Sequence, residues 1–290
     1  MKQLTLRLPL QTRFALIAVG ITFALVTGML GINILHQIQD VSLNTNLFKA
    51  FLDVTTDVLT NHFIWELVLN ALLIFSVAIF CKNVIRQVKE YRNWNQYVDA
   101  YSDLKKSNLV ITKFKLEKIR FIILDEPQMI AMTVGFFRPK IVLSSFVVEH
   151  FNEKELEAII YHELYHYKSR HPLQLLLLNV LAECFAFLPV LKELVKHYEV
   201  WMELLADRYS IKRMGSDAPI SHVLLAVIKS EKFESQNFSV HFANEAINYR
   251  LKQLIEPDHR LKIPLFNWKE MTISLFMLQI MLIIVVFSCM

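Results

Sequence analysis

Cysteine, glycine and proline are all scarce in this chain. Three cysteines in 290 residues exclude a disulfide scaffold, and no Cys-x-x-Cys pair is present to hold a metal or run thiol chemistry. Cys81, Cys184 and Cys289 each sit in apolar sequence, where a thiol stays protonated and inert. Five glycines and eight prolines leave no material for collagen-like repeats or long linkers. Charge is short as well: 20% of residues are Asp, Glu, Lys or Arg, against about 25% in an ordinary soluble domain. Apolar residues fill the gap at 54%, where about 45–50% is usual. Disorder is excluded by that hydrophobicity.

Three runs hold most of the apolar excess. Phe14–Leu35 is 22 residues without a formal charge, Phe63–Cys81 is 19 residues with one acid, Glu66, and Met271–Met290 is 20 residues with none. About 20 apolar residues span a hydrocarbon core, so each run is long enough. The first is too long for a signal peptide and has no small-x-small cleavage site before Gln37, so it reads as an anchor. Lys2, Arg7 and Arg13 precede the first run, and Lys82, Arg86, Lys89 and Arg92 follow the second. Between them, the loop 36–62 carries Lys49 against Asp40, Asp53 and Asp57. Positive segments stay inside. The expectation is a plasma-membrane protein with a cytoplasmic amino terminus, an external loop 36–62 and an external carboxy terminus.

The formal balance is 31 − 27 = +4, with the basic residues concentrated at membrane flanks. This reads as topology and attraction to anionic lipid, and no direct nucleic-acid binding is expected. The domain expectation is a membrane anchor over 1–92 with helices 14–35 and 63–81, a cytoplasmic domain over 93–270, and a last spanning helix over 271–290. Within the body, residues 83–107 read as a helix leaving the membrane. Phe121–Leu124 reads as a strand and 129–145 as a hairpin turning near Gly135 to Pro139. Asn152 with Glu155 three residues on is a capping box, opening a helix that runs to about Arg170 and is stopped by Pro172. Leu173–Leu191 is a fourth apolar stretch, interrupted by Glu183 and Pro189, expected to be membrane-associated as a re-entrant or interfacial hairpin, with a buried core helix as the alternative. The stretch is too short for two crossings, and one crossing would put the rest of the body on the wrong side of the membrane.

The capped helix carries His162-Glu163-Leu164-Tyr165-His166. Histidines at i and i+4 lie one turn apart on one face, where both imidazoles can bind one tetrahedral zinc. The intervening Glu163 can then take a proton from water. A catalytic zinc needs a third protein ligand. Glu199, Glu203 and Asp207 fall at i, i+4 and i+8 on a second helix. One of them can complete the site and another can orient a histidine. The competing possibility is surface pairing of Glu199 and Asp207 with Lys196 or Arg208.

His162–His166 with Tyr-Lys-Ser-Arg after it, then Pro189, then Glu203-Leu-Leu-Ala-Asp207, resembles the BlaR/MecR-type antirepressor metallopeptidases. These are membrane gluzincins, more distantly similar to Ste24/HtpX-type membrane proteases. The resemblance covers about residues 120–255. It includes Gly135, Arg138-Pro139 and Ile141, similar to the family's edge-strand segment, and Arg250-Leu251 with Leu254. It implies a mainly α integral membrane protein with a cytoplasmic α+β, zincin-like gluzincin metalloprotease domain. It also implies one Zn2+ per chain on His162, His166 and Glu203, with Glu163 as general base and Asp207 holding a ligand histidine. Glu199 then falls back to a structural role. His241 is the implied oxyanion helper, with His222, Tyr249 and Arg250 as competing positions. The strand around Ile141 would pair with an extended substrate.

The chain departs from the family's pattern at His171, where Asp is usual. The additional leading helix of the sensor members is not expected in it. A penicillin-binding domain after the last helix, and with it beta-lactam sensing, is likewise not expected. The implied partners are the lipid bilayer and a protein substrate, by analogy a transcriptional repressor in regulated proteolysis and signal transduction. Two alternatives stand beside this reading. One is an HtpX/Ste24-like quality-control protease. The other is a zinc-stabilised signalling scaffold that does not cut, against which the presence of Glu163 counts.

Overall fold

The structure is a computed structural model that describes residues 6–40, 62–234, 240–256 and 261–288. The described residues are mostly helical with one small sheet. The elements are α1 (Leu10–Asp40), α2 (His62–Tyr101), α3 (Leu104–Phe114), β1 (Phe121–Leu124), β2 (Ala131–Val134), β3 (Lys140–Ser144) and α4 (Ser145–His150). They continue with α5 (Glu153–Ser169), α6 (His171–Cys184), α7 (Val190–Met214), α8 (Ala218–Glu234), α9 (Val240–Ile255) and α10 (Trp268–Ser288). Most of the loop 36–62 lies outside the described residues, as does Cys289.

Among the described residues, three helices are long and apolar enough to cross a membrane, over Leu10–Ile32, Leu67–Tyr101 and Trp268–Val285. Their apolar side chains are not hidden: Ile17, Ile74, Leu275 and Phe276 are all exposed, as expected of surfaces that meet lipid rather than water. The second run does not end where its hydrophobicity does. No Gly or Pro interrupts residues 62–101, so the helix continues through the charged flank as one 40-residue α2. The separate helix expected over 83–107 is thus its continuation, and α3 follows after a break at Ser102 and Asp103.

The chain forms two compact units. The first comprises Arg13–Ile85, Asn179–Val195 and Leu265–Met290. In it the turn between α6 and α7 is fastened from two sides. Ser76 Oγ donates to the carbonyl of Cys184 at 3.0 Å, and Val190 N–H donates to Ser274 Oγ at 3.0 Å. The apolar stretch 173–191 therefore resolves into helix, turn and helix. At 14 residues, α6 is about 21 Å long, short of the roughly 30 Å of a hydrocarbon core.

The second unit comprises the chain up to Thr12, Arg86–Leu178 and Lys196–Pro264. Its sheet has the order β1-β3-β2. β1 pairs with β3 in parallel, Phe121 opposite Ile141, and β2 pairs with β3 antiparallel, Thr133 opposite Ile141. The expected hairpin forms, turning at Gly135 with φ 95°. A Cβ there would lie 2.9 Å from the Arg138 carbonyl oxygen, so the tight turn requires glycine. β3 is the central strand. Ile141 has a neighbour on each side and cannot receive a substrate strand; the edge on that side belongs to β2.

α5 packs its Leu156, Ile159, Ile160 and Leu164 against Ile123, Ile141, Leu143 and Val147 in one apolar core. The capping box is present: Asn152 Oδ1 accepts from the Lys154 and Glu155 amides, and Glu155 reaches back to the Asn152 amide at 3.0 Å. The helix ends at Arg170, which takes the left-handed conformation at φ 53° and returns its N–H to the last turn. Pro172 lies in the first turn of α6, where its missing donor costs nothing. The stop is thus made by Arg170 rather than by the proline.

Candidate active site

Burying Leu156, Ile159, Ile160 and Leu164 leaves the adjacent face of α5 turned to a cavity of about 600 Å³. That face carries His162, Glu163 and His166, all buried. α7 supplies Glu203 and, one turn on, Asp207, which is fully buried. Two hydrogen bonds set α7 in place: Ser210 Oγ donates to the Ala158 carbonyl of α5 at 2.8 Å, and Gln253 of α9 donates to the Leu204 carbonyl at 3.2 Å.

One ligand atom from each of His162, His166 and Glu203 lies within 4.8 Å of the others. The two Nε2 atoms are 3.1 Å apart, and Glu203 lies 3.3 Å from His162 Nε2 and 3.6 Å from His166 Nε2. Donors about 2.0–2.2 Å from a tetrahedral centre are about 3.3 Å from one another. The donor set and its spacing therefore fit a divalent cation. His162 Nδ1 is held by Asp207 at 2.9 Å, which fixes the ring and leaves Nε2 for the metal. Arg250 of α9 grips both oxygens of Asp207, at 2.7 and 2.8 Å, and reaches Glu203 at 3.4 Å.

Glu163 has a partner of its own. Thr133 Oγ on β2 lies 2.9 Å from a Glu163 carboxylate oxygen and 2.9 Å from its carbonyl. The edge strand and the metal helix are thus tied together at this residue. On the far side of His166, His171 at the start of α6 places its Nδ1 2.8 Å from His166 Nδ1.

Electrostatics follow this geometry. Burial opposes the charge on His162, but hydrogen bonds to Asp207 and Glu203 outweigh it and push the metal-free ring up to about 10. Burial takes His166 down to about 4 and His171 to about 3. Burial raises the Glu163 carboxyl above the usual range against the pull of His162 and the hydrogen bond from Thr133. Burial also opposes ionisation of Glu203 and Asp207. The histidines hold the first low, and Arg250 with His162 holds the second low.

The structure brings His162, Glu163, His166, Glu203 and Asp207 together around one cavity. Of the competitors for oxyanion helper, Arg250 reaches the cavity, where it is committed to Asp207 and Glu203. His222 is instead exposed and 3.3 Å from Glu155 at the start of α5, and Tyr249 packs beside Val200 and Trp201. Glu199 does not line the cavity. The side chain of His241 lies outside the described residues. Thr133 and the contact of His171 with His166 were missed. Thr133 has no local signal, while His171 is marked in the sequence only as the departure from the family's Asp, with no sign of its contact with His166.

Apolar helices long enough to span a bilayer, with a buried His-His-Glu cluster on two further helices, define a membrane protein of metallopeptidase type. The family model described as BlaR1 peptidase M56 matches residues 15–254, and the chain belongs to that family. No curated protein matches it.

Proposed function

We propose that this protein is a zinc endopeptidase of the membrane whose site faces the cytoplasm and acts in regulated proteolysis, with a transcriptional repressor as the target by family analogy. The observation that carries the reading is the tetrahedral spacing of His162, His166 and Glu203 beside the buried Glu163. A zinc ion held by those three side chains would polarise a peptide carbonyl and acidify water. Glu163 takes the proton of the attacking water on its carboxylate and returns it to the leaving amine. Thr133 holds that carboxylate in place, and Asp207 with Arg250 keeps His162 oriented.

The edge of β2 supports binding of an extended peptide. Ser144 N–H donates to the Ile130 carbonyl at 2.8 Å. By the alternation of an antiparallel ladder, the main-chain groups of Ala131 and Thr133 then point away from β3, to the open edge. A peptide added there runs along the cavity, with main-chain pairing for affinity and side-chain pockets for selectivity. A scaffold that does not cut has no use for a buried carboxylate tied to that edge.

The test compares cells carrying wild type and Glu163→Gln by proteomics of new peptide ends. The expected result is a fragment that only wild type makes, with a rate loss of roughly 10²–10⁴-fold in the variant and about one zinc per chain in both. Identical fragments in the two strains refute catalysis. Zinc content unchanged in a His162→Ala, His166→Ala double variant refutes the metal assignment. For orientation, reporters after Arg92 and after Met214 are expected inside and one at Asn46 outside; an external signal at Met214 overturns the placement.

A further inference from the structure

His171 is buried, lines the same cavity, and has its two ring nitrogens in different settings. Nδ1 faces His166 Nδ1 at 2.8 Å, too close for anything but a hydrogen bond with one shared proton. The ring also stands edge-on to His166 and to Tyr165, with centroids 4.9 and 5.3 Å away, so its orientation is set by packing. Nε2 has no hydrogen-bond partner among the described residues, and it is not among the sealed, unpartnered nitrogens and oxygens. Because the ring lines the cavity, Nε2 is the polar atom it has left to offer there.

The direction of the shared proton is set by His166. Its Nε2 is engaged on the other side, 3.1 Å from His162 Nε2 and 3.6 Å from Glu203. A neutral imidazole that offers Nε2 as a lone pair carries its hydrogen on Nδ1. His166 Nδ1–H must then donate to His171 Nδ1. A neutral His171 that accepts at Nδ1 carries its own hydrogen on Nε2. Each tautomer dictates the next.

We propose that His171 is a positioning residue for His166, and that this hydrogen bond makes its Nε2–H a donor into the cavity for the main-chain carbonyl of a bound peptide. The inference rests on the metalloendopeptidase reading and adds to it a substrate-binding group on α6. The two halves separate by substitution. His171→Ala removes both. A carboxylate at this position, His171→Asp or His171→Glu for reach, restores an acceptor for His166 Nδ1 but offers no donor to a carbonyl.

The test uses the purified full-length protein in detergent. Zinc affinity is measured by chelator competition, and kcat and KM are measured on a peptide spanning the cleavage that only wild type makes. The alanine variant is expected to lose about 10–100-fold in zinc affinity. At least one carboxylate variant should return to within a few-fold of wild type, with KM about tenfold higher and kcat little changed, as when an interaction shared by ground and transition states is removed. Wild-type zinc affinity in His171→Ala overturns the positioning role, and wild-type KM in a metal-replete carboxylate variant overturns the donor. A wild-type protein that binds no zinc overturns the metalloendopeptidase reading itself, whereas one that binds zinc and cuts while His171→Ala does the same overturns this inference alone.

Discussion

Both compact units bury polar side chains, but the titratable cluster of one is satisfied differently from the scattered polar groups of the other. In the unit that holds the cavity, His162, Glu163, His166, His171 and Asp207 are buried and each has a hydrogen-bond partner in the cluster or beside it. In the other unit, Ser76 and Ser274 are spent as single fasteners on main-chain groups, and Asn83 is buried with neither amide atom paired among the described residues. A helix in lipid satisfies its own main chain, so that unit can be built from apolar residues with few polar contacts. A site that must hold several charges away from water has no such freedom, because each group depends on the next.

The sharpest way to break this contrast is Arg250→Ala. It leaves the fully buried Asp207 carboxylate with only His162 for company, and the expected cost is about 3–5 kcal/mol in unfolding stability measured in detergent. Arg250→Lys keeps the charge but not the two-pronged grip, and should recover part of it. A loss below about 1 kcal/mol in the alanine variant would mean that the network is not interdependent.

A second effect concerns pH in the metal-free protein. His166 and His171, at about 4 and about 3, bind protons more weakly folded than unfolded. Acidification below about 6.5 therefore favours the unfolded chain. His162, at about 10, has the opposite sign: its stabilisation is complete below about 6.5 and is lost as pH rises towards 10. After chelation, the melting temperature should peak near neutral pH and fall on both sides. A profile that only rises or only falls from about pH 4.5 to about pH 9 would contradict the opposed pair.

The smallest effect is expected in the other unit. Asn83→Leu replaces two unpaired polar atoms with apolar ones and should raise stability by about 1 kcal/mol, seen as a melting temperature a few degrees higher. A destabilised variant would show that Asn83 has a partner of consequence.

Features repeated along the chain were legible in the sequence, and contacts between distant segments were not. The spanning helices announce themselves by unbroken apolar runs, the capping box by two residues, and half of the cluster by His162 and His166 one turn apart; the acids Glu199, Glu203 and Asp207 share a helical spacing of their own, and only the family resemblance singles out Glu203 among them. Helix ends were harder, because hydrophobicity marks where a span stops being apolar and not where its hydrogen bonding stops; α2 runs on to Tyr101. Strand order was hidden for another reason. A parallel β1–β3 pair brackets a hairpin, so β3 becomes central although its sequence reads as well for an edge. Thr133 lies 30 residues from Glu163, and Arg250 lies 43 from Asp207. No local pattern announces either pairing, since tertiary packing alone brings them together.

Arg170 shows how little chain separates a working arrangement from an idle one. Positions five apart on a continuous helix point about 140° away from each other, so His171 could not meet His166 if α5 simply went on. One main-chain torsion of reversed sign, φ 53° at Arg170, folds the next turn back and brings the two rings into contact. The second layer of this site is thus written in backbone handedness as well as in side chains. Glycine at 170 would preserve it. A β-branched residue or proline, which resists that torsion, would part the two imidazoles while leaving every polar group of the site in the sequence.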